Sequence, residues 1–186
     1  MNLCDTIKQI LKEEIDYKSS VFSESVTPNV VSSANNQIKN LSGFVSSRFR
    51  SKGIIIQDEE IQPYLNTYVN ELNKKSLYIT NLLNKKSPAK EIAKVYSSTL
   101  IYVFHQLFTQ EMSWGKRMLV RSMVNKKELE EYRIGIWIIP YKIMEEAVES
   151  LPIDQTKKSE ITKVLRNNKN SFSFDLFDYA IKTIYE

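Results

Sequence analysis

The segment from Pro88 to Met112 constrains the fold more than any other. Along it Ile92, Tyr96, Leu100, Val103, Phe104, Leu107, Phe108 and Met112 recur at helical spacing. They make an apolar face wide enough to need burial on most sides. The surrounding chain offers helices to bury it. Long 3.6-residue periodicity dominates, only short segments alternate apolar with polar, and 4 Gly and 5 Pro in 186 residues leave few breaks. The expected fold is all-α, a globular bundle of about eight helices around this central apolar one. The length suits one domain with a sizeable core.

Read in order, residues 3–18 form an amphipathic helix with Leu3, Ile7, Ile10, Leu11 and Ile15 on one side, and Ser19 to Ser33 reads as a linker. Residues 1–28 are thus expected to be an N-terminal extension, and 29–186 the helical domain. Ala34 to Lys52 is a helix carrying Ile38, Leu41, Phe44, Val45 and Phe49, with Gly53 as its C′ residue. Asp58, Glu59 and Glu60 open the next helix, Pro63 fits its first turn, and Ile61, Leu65, Tyr68 and Leu72 fall at spacings of 4, 3 and 4. Leu77, Ile79, Leu82 and Leu83 continue as a further turn or a separate short helix, and Ser87-Pro88 caps the central one.

Beyond the central helix, Ser113 to about Val124 begins another, with Trp114, Met118, Leu119 and Met123 expected inward and Lys116, Arg117 and Arg121 facing elsewhere. Asn125 to Glu131 is charged and exposed. Ile134 to Ile139, with no partner strand evident, reads as a buried helical turn. Pro140 starts or kinks a helix bearing Ile143, Met144, Ala147, Val148 and Leu151, which Pro152 stops. Asp154 caps a helix through Arg166, Asn167 to Ser171 is a turn, and Ser173 caps a last helix with Leu176, Phe177, Ala180, Ile181 and Ile184.

Several function classes fare poorly on these residues. The net charge of +4 comes from interleaved Lys and Glu, without the compact basic and aromatic cluster that nucleic-acid binding needs. The single cysteine, Cys4, cannot form an intrachain disulfide, so a reducing compartment is expected. The charged N-terminus lacks the continuous apolar region of a secretion signal, and no run approaches the ~18 apolar residues of a membrane span. His105 is the only histidine and has no cysteine near it, so no metal and no cofactor are expected. Neither a glycine-rich phosphate loop nor a nucleophile elbow is present, and the paired carboxylates Glu13-Glu14 and Glu145-Glu146 sit on patterned helices. An enzyme is not expected.

The junction Leu107 to Lys116, LFTQEMSWGK, stands apart. Ser113 is a suitable N-cap, Gly115 lets another backbone approach, Trp114 brings a large ring with one N–H, and Lys116 sets a cation at the rim. Taken alone, this is a helix–helix corner. Taken with its surroundings, it resembles the Bcl-2 family of apoptosis regulators. Leu107-Phe108 and Ser113-Trp114-Gly115-Lys116 are similar to that family's first homology motif, Leu-Phe followed by Asn-Trp-Gly-Arg. Phe44 to Gly53 looks like its fourth motif. Phe174-Asp175-Leu176-Phe177 resembles its second, with Phe for Trp. Ile61, Leu65, Tyr68 and Leu72 occupy the four-anchor spacing of its third, with Val69 in place of a small residue and Asn70 in place of Asp.

The resemblance spans roughly residues 34–180 and departs after Val124, where NKKELEE interrupts what the family keeps apolar; that makes insertion into lipid unattractive. It implies a prosurvival-like receptor that takes the amphipathic ligand helix of proapoptotic proteins into a hydrophobic groove. The implied groove residues are Leu72, Leu82, Leu83, Val103, Leu107, Ser113, Gly115, Lys116, Met118 and Leu119, with Trp114 supporting the corner from beneath. Lys116 would meet the partner's Asp without the bidentate fork of an arginine. The implied location is the cytoplasm, with mitochondrial outer-membrane attachment only through a C-terminal anchor beyond Glu186. The rival reading is a helical adaptor with no apoptotic role, docking through another surface such as helix 3–18.

Overall fold

The computed structural model describes residues 25–127 and 138–186. Their regular structure is all helix, with no strand among the described residues. In chain order they form α1 (Pro28–Asn36), a 3₁₀ turn (Gln37–Leu41), α2 (Ser42–Arg50), α3 (Asp58–Lys74), α4 (Ser76–Asn84), α5 (Ala89–Glu111), α6 (Trp114–Met123), α7 (Ile138–Glu149), α8 (Gln155–Asn167) and α9 (Lys169–Tyr185). The expected helix 3–18, the charged stretch beyond Lys127 and the run Ile134 to Trp137 lie outside the described residues.

The central helix is the expected one. α5 packs against α3, α4, α7, α8 and α9, and Ile92 and Tyr96 are fully enclosed. Its C-terminal half emerges from the bundle: Phe104, Leu107 and Phe108 are only half-buried. The α3 stripe also turns inward, with Ile61, Leu65, Tyr68 and Leu72 all buried. The Glu60 carboxylate accepts from the Gln57 N–H at 2.8 Å, closing the first turn of α3. Pro63 lies in the second turn rather than the first, inside the helix. Its ring offers no N–H to the carbonyl four residues back.

Three boundaries differ from expectation. The linker assigned to Ser19–Ser33 gives way at Pro28 to helix: Thr27 Oγ1 accepts from Val30 N at 3.4 Å, Pro28 takes the first helical position, and Val31 and Ala34 are buried. The single helix expected over 34–52 is broken by the 3₁₀ turn, where Asn36, Asn40 and Ser42 are weak helix formers. Gly53 ends the segment with φ +78°, the left-handed conformation expected of it. The last helix begins at Lys169, ahead of the Ser173 cap and through the expected turn. Burial of Phe172 rewards the extra turn. Asp154, by contrast, caps α8 as expected, accepting from Lys157 N at 2.8 Å.

A chain of polar side chains crosses the core. The Tyr68 hydroxyl donates to the Tyr96 carbonyl at 2.9 Å. The Tyr96 hydroxyl donates to Asn35 Oδ1 at 3.3 Å, and Asn35 Nδ2 donates to Asn73 Oδ1 at 3.2 Å. It ties α1, α3 and α5 together, and both tyrosines with Asn35 are sealed from solvent. Among the described residues, no helix is long and apolar enough to cross a membrane.

Candidate functional site

α5 stops at Met112, and Ser113 turns the chain in extended backbone before α6 starts at Trp114. Ser113 occupies the N-cap position, but its hydroxyl makes no capping bond; its carbonyl accepts from Arg117 N at 3.0 Å. Gly115 has open space where a side chain would stand. The corner thus exists where the sequence places it, as an open bend rather than a packed one.

α6 lies with the opposite side inward from the one its apolar residues suggest. Its basic side faces α9. Arg117 Nη1 donates to the Thr183 carbonyl at 3.5 Å, Arg121 Nε donates to the Ile184 carbonyl, and the Tyr185 hydroxyl donates to the Val124 carbonyl at 2.5 Å. The Arg121 guanidinium also sits 5.9 Å from the Tyr185 ring. The last carbonyls of a helix lack intrahelical donors and carry partial negative charge, so two guanidiniums there are well matched. That match fixes the rotation of α6 and carries its apolar side outward.

The expectation that Trp114, Met118, Leu119 and Met123 point inward is therefore corrected. They are 73 %, 47 %, 59 % and 73 % exposed, so Trp114 does not support the corner from beneath. The groove expected across α3, α4 and α5 is corrected as well. Leu72, Leu82, Leu83 and Val103 are all buried, because α4 lies against both α1 and α5 and the chain's own side chains close that surface. Of the residues singled out from sequence, Leu107 remains half-buried, and Ser113, Gly115, Lys116, Met118 and Leu119 are exposed together on the corner and α6.

Lys116 pairs with Glu111 at 3.0 Å, both side chains more than half exposed. Such a pair contributes little and exchanges easily for an incoming charge. Glu111 also lies near Tyr64 of α3: partial burial, and secondarily the Glu111 charge, push the Tyr64 hydroxyl up from its ordinary 10.0. The rim of the corner thus borders α3.

Sequence reasoning missed two features. One is the Arg117–Arg121 clasp, whose i,i+4 spacing beside Val120 and Val124 was its only local signal. The other is His105, which stacks on Tyr179 at 3.8 Å between centroids, while the Tyr179 hydroxyl bonds Thr109 Oγ1. Burial lowers the His105 pKa from 6.5, and the Asp175 charge opposes this. His105 Nε2 is buried without a hydrogen-bond partner. Among the described residues, no group of three or more His, Cys, Asp or Glu is placed to hold a metal ion.

No known protein family, no curated protein and no solved structure matches this chain.

Proposed function

We propose that this chain is a non-enzymatic helical docking protein whose working surface is the outer face of α6 at the Trp-Gly corner. One observation supports it: a helix fastened to the bundle by its basic side holds Trp114, Met118, Leu119 and Met123 in the open. Single exposed apolar residues are ordinary, but four spread over the outward half of a 10-residue helix make a patch of the kind that marks an interaction site.

The prosurvival-like form of this reading takes the partner from the family resemblance: the amphipathic ligand helix of a proapoptotic protein. Two observations favour it. Lys116 stands exposed at the rim with only a weak pair to displace, and the four-anchor stripe of α3 faces inward, as in a receptor rather than a ligand. The partner helix would lie along Leu107, Gly115, Met118 and Leu119, not across the closed α3–α4 surface.

The test is a fluorescence titration of the Trp137→Phe protein, which leaves Trp114 as the only indole, with a proapoptotic ligand-helix peptide and its Asp→Ala version. Binding that weakens about tenfold with either the altered peptide or Lys116→Glu supports the receptor form. Absence of binding, or binding indifferent to the Asp, removes it. The docking face itself is tested by Met118→Glu with Leu119→Glu. An unchanged melting temperature is expected of a true surface, and unfolding would show that the face belongs to the core.

A further inference from the structure

We infer that the outer face of α4 and the adjoining side of α5 form a second docking surface, whose occupant is the chain's own segment 3–18, folded back in cis. The inference does not depend on the α6 face. Exposed apolar bulk recurs here: Leu77 and Tyr78 on α4 and Tyr102 on α5 are 62 %, 55 % and 54 % exposed. Lys75 Nζ donates to Thr99 Oγ1 at 2.6 Å, so the start of α4 lies against the turn of α5 that carries Tyr102. Segment 3–18 has the complementary need. Its Leu3, Ile7, Ile10, Leu11 and Ile15 give an otherwise charged stretch one apolar side to cover.

The tether selects this occupant. Val26 N donates to Asn84 Oδ1 at 3.1 Å and Asn84 Nδ2 donates to the Val26 carbonyl at 3.0 Å, which pins the chain to the last residue of α4. From Asn84 back to Leu77 the helix rises only about 10 Å. Residues 19–24 reach up to about 20 Å when extended, so 3–18 arrives at the patch with length to spare. Over so short a linker its effective concentration is on the order of millimolar. Three exposed side chains are too small a surface to hold a diffusing protein, but they suffice for a segment that never leaves. Charge acts in the same direction. Between Leu72 and Gln110 stand six lysines and one carboxylate, Glu91, and the flanking Glu71 and Glu111 are taken by Lys74 and Lys116. Glu160, which the fold brings near Ser87, is held by Lys157. Lys85, Lys86, Lys90 and Lys94 are exposed with no ion pair among the described residues, and residues 1–24 carry five carboxylates against three lysines.

The experiment puts a nitroxide on Cys4, the single cysteine, in the whole chain and reads the amide signals by NMR. Amides of 77–78 and 98–102 should lose most of their intensity and those of 114–123 should keep theirs, with partial recovery at high salt. Ile7→Glu with Leu11→Glu should restore the lost signals, and so should Leu77→Glu with Tyr102→Glu. An unaffected α4–α5 face, or quenching that survives the Ile7→Glu, Leu11→Glu pair, overturns the inference. Quenching confined to 114–123 overturns it too, and makes the segment a blocker of the α6 face. Mixing spin-labelled chain with isotope-labelled chain that lacks the nitroxide tests the source. Quenching between molecules makes the occupant a second copy and removes the cis assignment. If Leu77→Glu with Tyr102→Glu unfolds the chain, the changes at Ile7 and Leu11 still decide. An α4–α5 face that stays unquenched leaves the peptide titration on α6 untouched, so the two readings fail separately.

Discussion

Replacing Tyr96 with Phe gives the sharpest test of the core, because the effect divides into a neutral-pH part and an alkaline part. At neutral pH the substitution deletes a hydroxyl that donates to Asn35 Oδ1 across 3.3 Å in a site sealed from water. A bond of that length is at the weak end, so the loss is about 1 kcal/mol, mostly from leaving the Asn35 amide oxygen short of a donor. The alkaline part is more specific. Burial holds the Tyr96 hydroxyl far above its ordinary 10.0, and burial with the neighbouring Tyr96 does the same to Tyr68. The unfolded chain releases these protons near pH 10 and the folded chain does not. The stability they confer is therefore complete below pH 10 and is lost as pH rises beyond it. Between pH 9 and pH 11 each phenol takes away about 1.4 kcal/mol, so the pair removes about 2.7. Urea unfolding at the two pH values, in wild type and Tyr96→Phe, isolates one phenol, since every other titrating group is common to both. The variant should lose about 1.4 kcal/mol less than wild type over that interval. Equal losses would mean that Tyr96 ionises in the folded state, and the enclosed polar chain would be refuted.

Arg121→Ala should leave the global melting temperature within a few degrees while raising amide exchange across 114–123, because α6 loses its hold on the Ile184 carbonyl; unchanged exchange would disprove the clasp. Leu72→Ala should cost about 2–5 kcal/mol in urea unfolding, and Leu107→Ala clearly less, since the first is enclosed and the second half-open. Burial depresses the His105 pKa, so this residue's contribution is present above pH 6.5 and falls as pH drops below it. His105→Phe should flatten the dependence of the urea midpoint between pH 7 and pH 5, and an unaltered dependence would count against the stacked site.

What the sequence made legible was local. The stripe Ile61, Leu65, Tyr68 and Leu72 announced both a helix and the side it buries, because its neighbours are polar in register. Gly53 and Asp154 carried their own conformational reasons. The rotation of α6 was different in kind. Periodicity says that a helix has an apolar side, not that the side meets protein. Here the choice was made by carbonyls at Thr183 and Ile184, more than sixty positions away. The start of α9 was misplaced for a related reason: Ser173 suits a cap by type, but the Phe172 ring finds a buried seat only if the helix begins earlier. Thr27-Pro28 was a legible cap and first turn, obscured by the serines and asparagines around it. The expected groove failed because spacing within α3 and α4 cannot reveal how closely α1 lies against them.

The bonds from Arg117, Arg121 and Val124 to the last turn of α9 have a practical corollary for anyone handling this protein. Residues 183–185 serve as the moorings of a helix far upstream, so cutting the chain before Thr183 would cast α6 loose.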